Sequence, residues 1–293
     1  MTAVPLEAAL DAPAPPLASR AFTWMRRNPT IVIGTGILAA LVAAAACAPW
    51  LAEDPLNFEP TNRLKRPSAE FWFGTDRFGR DVYSRVVYGT RISLAVGASV
   101  AVVATIIGLV IGILCGFYRR VDAVVMRVMD GLMAIPAILL AIALITLMKA
   151  SLIIVIVAIS IPEIPRVVRL VRSVVLTVRS LPYIEAAIAS GTRGIAIMTR
   201  HILPNTIAPL IVQSTYVCAS AILIEAGLSF LGAGTPPEIP SWGNVISDGR
   251  TFFQIAPWII FFPGVLLAIT VLAINLVGDG LRDSLDPRIA RRM

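Results

Sequence analysis

Few residues in this sequence have the type and setting to do chemistry. Glu225 stands first: it lies inside the apolar run Ile207 to Leu231, and a carboxylate within a membrane span is a functional residue by default. Two roles are open to it. It carries a proton or ion, or it sits near the outer water interface hydrogen-bonded to a neighbouring helix; the second is preferred. Arg166, Arg169 and Arg172 are spaced three apart and share one helix face. That face is read as meeting phospholipid headgroups or solvent. His201 is the single histidine, so neither a zinc site nor a Ser/His/Asp constellation can be assembled. Cys47, Cys115 and Cys218 fall in separate apolar runs, with no metal or disulfide spacing. A phosphate-cradling GxxxxGK[ST] loop is absent from the sequence. These features predict a chain that is not itself an enzyme and binds no metal or cofactor.

The stretch Leu181 to Asn205 is organised differently. It lies between apolar runs but cannot cross a bilayer, because Glu185, Arg193 and Arg200 would each cost about 2.5–3.5 kcal/mol at its centre. Pro182 suits the first turn of a short helix, where its missing N–H costs nothing. Glu185 then falls in that first turn, where a negative charge complements the helix dipole. Ala186, Ala187 and Ala189 keep one face slim enough for a partner to approach the backbone. Gly191 and Gly194 allow a bend, and Pro204 restarts the chain into the next apolar run. The stretch is either an ordinary polar loop or a short surface helix that inserts into another protein.

The elements that must position these residues are membrane spans. Of 293 residues, 57% are hydrophobic and 15% charged, and the mean hydropathy is +0.82. A soluble domain is nearer 45–50% apolar and about 25% charged. The net charge of +7 is read as loop charge that sets orientation, with no nucleic-acid partner. Residues 1–29 read as a disordered tail, rich in Pro and Ala. Residues 30–51 form a first span, retained rather than cleaved as a signal peptide. Residues 52–91 form a long polar connection with an amphipathic lead-in. Residues 92–284 hold five further spans: Ile92 to Phe117, a third ending near Met148, Leu152 to about Ile164, Ile207 to Leu231, and Trp258 to Val277. Ile135-Pro136 kinks the third, and the fourth is short enough to continue as helix past Pro165. Gly108, Gly112 and Gly116 form overlapping GxxxG pairs, chiefly for packing within the chain. Residues 285–293 close it as a tail.

Six spans place both termini on one side. Sixteen of the 25 Lys and Arg residues fall on that side, with the 181–205 stretch, and nine on the other. The richer side marks the cytoplasm.

The order Glu185-Ala186-Ala187, Gly191, Leu203-Pro204 resembles the EAA loop of ABC importer permeases, with His201 where that pattern has Ile. The string Arg200-His201-Ile202-Leu203-Pro204-Asn205 is similar to the dipeptide/oligopeptide/nickel branch. So are Phe73-Gly74-Thr75-Asp76, Gly79-Arg80-Asp81, Tyr88-Gly89-Thr90-Arg91 and the closing Gly278-Asp279-Gly280 and Leu285-Asp286-Pro287-Arg288. The resemblance covers roughly Phe73 to Arg288. It implies an all-α, type I importer transmembrane domain with six spans and a cytoplasmic coupling helix in the bacterial inner membrane. Glu185, Ala186, Ala187, Gly191, Leu203 and Pro204 would couple it to an ATPase. The implied partners are a second permease subunit, two ATPase subunits that hold ATP and magnesium, an extracytoplasmic substrate-binding protein and membrane lipid. Di- or oligopeptides are the implied cargo, with glutathione or nickel as alternatives within the branch. An ATP-independent secondary transporter using Glu225 is the alternative outside it.

Overall fold

A computed structural model describes residues 25, 26, 28–148 and 151–285. The expected tails fall almost wholly outside this range. Among the described residues the structure is helical apart from loops and one isolated bridge, Thr75 to Asp81.

The nine principal helices among the described residues are α1 (Pro29–Ala46), α2 (Val82–Phe117), α3 (Arg119–Ala134), α4 (Ala137–Leu147), α5 (Leu152–Arg179), α6 (Pro182–Ala189), α7 (Leu203–Phe230), α8 (Trp242–Gly249) and α9 (Trp258–Leu285). Four segments are long and apolar enough to cross a bilayer: Pro29–Ala46, Val82–Phe117, Gly194–Phe230 and Trp258–Leu285. The pair α3 and α4, bent by 90°, makes a fifth if counted as one span. α5 is long enough, but Glu163, Arg166 and Arg169 interrupt its apolar run.

Three expectations change here. The lead-in to the second span is already helix: Asp81 caps α2 by accepting the N–H groups of Tyr83 and Ser84, so the helix begins at Val82. The third span is not one kinked helix but two. Proline disfavours the helical conformation in the residue before it, and Ile135 is accordingly extended, with φ −92° and ψ 128°. Finally, the helix containing the fifth span begins at Gly194, well before Ile207.

The core is built around a seam between α2 and α5. A side chain at Gly108, Gly112 or Gly116 would come within 2.5, 2.6 and 2.5 Å of the Cβ atoms of Val167, Val171 and Val175 respectively. Each glycine therefore admits a valine of the other helix, and the GxxxG pairs serve packing within the chain. Numbering rises together along both helices, so they run parallel. α7 runs the other way, with Gly194 beside Phe117 at one end of α2 and Ile222 beside Gly97 farther along it.

The 52–81 connection is held by charge. Arg85 and Asp76 are buried, and Arg85 Nη1 donates to Asp76 Oδ2 and Asp248 Oδ2, both at 2.9 Å. Arg80 donates to the same two carboxylates at 2.7 and 3.0 Å. The motifs Phe73-Gly74-Thr75-Asp76 and Gly79-Arg80-Asp81 thus fasten the loop to the start of α2 and the end of α8.

Candidate functional site

α6 is defined by its two ends. Pro182 occupies the first position, and the Leu181 carbonyl accepts the N–H groups of Ile184 and Glu185 at 2.9 and 3.3 Å. Glu185 lies in the first turn. At the other end Gly191 has φ +77°. Its N–H donates to the Ile188 carbonyl at 3.0 Å, and Thr192 N–H donates to the Ala187 carbonyl at 3.1 Å. These two bonds form a Schellman stop, which needs a left-handed residue after the cap. Nothing lies within 4 Å of where a side chain would begin at Gly191. Backbone conformation alone therefore calls for glycine there.

One side of α6 is anchored and the rest is open. Ile184 is fully buried in the cluster that includes Val175, Val178, Ile197 and Ile202. Ala187 is half-buried, whereas Glu185, Ala186 and Ala189 are exposed. Tyr183 and Ile188 remain 47% and 48% exposed, which leaves apolar surface beside the alanines.

Leu203 and Pro204 do not lie on α6. They stand at the foot of α7, where Met198–Ile202 forms a π-turn and Leu203 N–H donates to the Met198 carbonyl. Pro204 has no N–H, and its ring crowds the carbonyl four residues back. The wider π-turn accommodates this, and Asn205 Nδ2 satisfies the His201 carbonyl at 2.6 Å. Pro204 is therefore inside a continuing helix and does not restart the chain. The π-turn touches α6 through the Tyr183 and His201 rings, 6.0 Å apart. Gly191 makes the bend; Gly194 instead packs close to Phe117, whose Cε1 would lie 3.1 Å from an added side chain.

Glu225 is fully buried in α7. Its Oε1 accepts from Ser229 Oγ at 2.8 Å, Ser241 Oγ at 2.9 Å and Thr235 Oγ1 at 3.4 Å. Ser241 also caps α8, so Glu225 ties α8 and the loop before it to α7. Two of these three donors, Thr235 and Ser241, lie beyond the end of α7.

The structure adds pairs that sequence reasoning missed. Glu163 is fully buried as well, so Glu225 is not alone among carboxylates in the apolar runs. Arg166 Nη1 donates to Glu163 Oε1 at 2.7 Å, and Ser220 Oγ of α7 reaches the same oxygen at 3.3 Å. The signal available was a glutamate three residues before an arginine on one helix. The other two arginines of that face meet α3 rather than only lipid or solvent. Arg169 pairs with Asp130 at 2.6 Å, and Arg172 grips both oxygens of Asp122, the Nη2 bond being 2.7 Å.

Comparison with known proteins gives one consistent result. Residues 108–291 match the family of binding-protein-dependent transport system inner membrane components. A probable peptide ABC transporter permease of Sinorhizobium fredii is 58% identical, over 91% of this chain and 92% of that one. A dipeptide transport system permease of Alkalihalophilus pseudofirmus is 44% identical, over 92% and 89%. Among solved structures, an inward-facing form of the MetNI methionine ABC transporter aligns with TM-score 0.54 and 22% identity, over 69% of this chain and 96% of that one.

Proposed function

The chain belongs to the family of binding-protein-dependent transport system inner membrane components, and from that premise we propose that it forms half of the pathway of an ATP-driven peptide importer. α6 is the coupling helix in this reading. It docks on an ATPase carried by another chain, which holds the ATP and magnesium. A second permease, a second ATPase and an extracytoplasmic binding protein complete the assembly. Peptides are the cargo by analogy with the relatives named above.

The observation that carries the reading is the construction of α6: anchored through Ile184, stopped by Gly191, and open along Glu185, Ala186 and Ala189. A slim open face lets a groove on the ATPase approach the backbone, and Tyr183 and Ile188 offer apolar area for it to cover. The excess of positive charge on the side of α6 supports a cytoplasmic placement, with both termini on that side.

The mechanism follows from linkage. The pathway has arrangements open to either side of the membrane, and ATP favours one only insofar as it binds that one more tightly. Drawing the ATPases together moves α6. The motion passes to α5 directly and to α2 through the glycine–valine seam. The test is to place a photo-crosslinker at Ala186 and purify the native assembly. Capture of an ATP-hydrolysing subunit at that position is the expected result; an assembly without one refutes the reading.

A further inference from the structure

We infer that Glu163 and Arg166 of α5, with Ser220, Tyr216 and Gln213 of α7, form a charge-exchange station in the translocation pathway that takes the two charged ends of a zwitterionic peptide. This rests on the importer reading and adds to it the residues that line the route.

Depth is the first argument. The seam places Val167 opposite Gly108, so Glu163 lies near the level of Ala104. That is about 20 Å of helix from Phe117 and about 18 Å from Ile92. No charged residue occurs in α2 between those two, so the pair sits within hydrocarbon depth. Ionisable groups at such depth face the bundle interior or a water-filled cavity, not lipid.

Unmet bonding capacity is the second argument. Glu163 is fully buried, yet its Oε2 has no hydrogen-bond partner among the described residues. Thr105 Oγ1, one residue on from that level of α2, is likewise buried and unsatisfied. Arg166 spends one nitrogen on Glu163, and its side chain is 38% exposed. A buried acceptor and a partly open donor fork thus stand side by side with capacity to spare.

The third argument is the facing helix. Ser220 touches Glu163, and Tyr216 and Gln213 follow on the same face of α7 at helical spacing. Because α7 runs against α5, Tyr216 comes near the level of Arg166. Tyr216 is 53% exposed.

The chemistry is a swap of partners. With the route empty, Arg166 and Glu163 neutralise each other. A passing peptide brings its carboxylate to Arg166 and its ammonium to Glu163. Charge is conserved at each step, so neither end crosses the low-dielectric region unpaired.

Two measurements on the complete transporter in lipid bilayers test this. In a background with Cys47, Cys115 and Cys218 replaced by alanine, Tyr216→Cys should react with a water-soluble cationic thiosulfonate at least tenfold faster than Leu272→Cys on α9. Equal, slow reaction in every nucleotide state overturns the proposal. The double variant Glu163→Gln, Arg166→Gln, which keeps hydrogen-bonding side chains, should lower ATP-driven uptake of a free dipeptide at least tenfold while the complex still co-purifies. Undiminished uptake overturns the proposal. If the double variant does not assemble, the Tyr216→Cys labelling decides. If the wild-type chain itself brings down no ATPase, the importer reading fails, and this one with it.

Discussion

Arg179 lies over the ring of Phe117, its guanidinium carbon 5.4 Å from the centroid, and donates from Nη1 to the Phe117 carbonyl at 2.9 Å. One side chain thereby joins the end of α5, just before α6, to the end of α2. A cation over an aromatic face is worth about 0.5–1 kcal/mol at an exposed site, and a charged hydrogen bond about 1.5–3 kcal/mol. Arg179→Ala is therefore expected to assemble normally but to reduce substrate-stimulated ATP hydrolysis by about 5- to 30-fold, the range of a coupling free energy of ~1–2 kcal/mol. Stimulation equal to wild type would show that the link carries no coupling.

Gly191 separates conformational need from crowding. Its φ is +77°, and the space around it is open. Valine there is strained by about 1–3 kcal/mol because of its backbone, whereas asparagine tolerates the left-handed region. Gly191→Val is expected to insert in the membrane yet slow substrate-stimulated ATP hydrolysis. Gly191→Asn should retain most of it. Equal rates in the two variants would remove the Schellman stop from the account.

The α2–α5 seam is tested at Gly112. A methyl group there meets Val171 at 2.6 Å, so Gly112→Ala should cost about 1–3 kcal/mol through overpacking. The double variant Gly112→Ala, Val171→Ala should recover part of the loss. Thermal unfolding in detergent, followed by retention of monodisperse protein, reads both. Additive losses in the double variant would mean that the two residues do not share a contact.

Asp76→Ala leaves Arg85 buried without one of its two carboxylates, the fully buried one. Removing one member of a buried pair costs about 3–5 kcal/mol, more than removing both. The single variant is expected to accumulate poorly in membranes, and Asp76→Ala, Arg85→Met to accumulate better. Quantitative blotting of membrane fractions measures this.

Glu225→Gln distinguishes the two roles open to that residue. Glutamine keeps an acceptor for Ser229 and Ser241 but cannot carry a proton. ATP-driven uptake within about threefold of wild type is expected on a structural role for these hydrogen bonds. Abolished uptake with an intact complex would restore the ion-carrier reading.

The helix types and the short α6 were legible because their signals are local. Apolar runs, Pro182 and Gly191 each act on their own few residues. The glycine spacing on α2 announced a close contact, but not that Val167, Val171 and Val175 would fill it, since pairing between distant helices leaves no mark in either one. Glu163 was hidden by the same cause: its neighbour Ser220 is remote in the chain. The partners of Arg169 and Arg172, Asp130 and Asp122, were hidden likewise, because they lie on α3, remote in the chain from α5. Pro204 was misjudged because a proline within a helix and a proline that starts one look alike until the turn before it is seen to widen.

The valines of α5 lodge in hollows on α2 that recur every fourth residue. Such a contact behaves like a toothed rack: half a step along the axis sets methyl groups against Cα atoms, and only a shift of four residues, about 6 Å, finds the next fit. Gradual sliding is thereby closed off. α2 and α5 are obliged to tilt together as one stiff plank, and the Ile135–Pro136 break between α3 and α4 is where the chain can yield as they do.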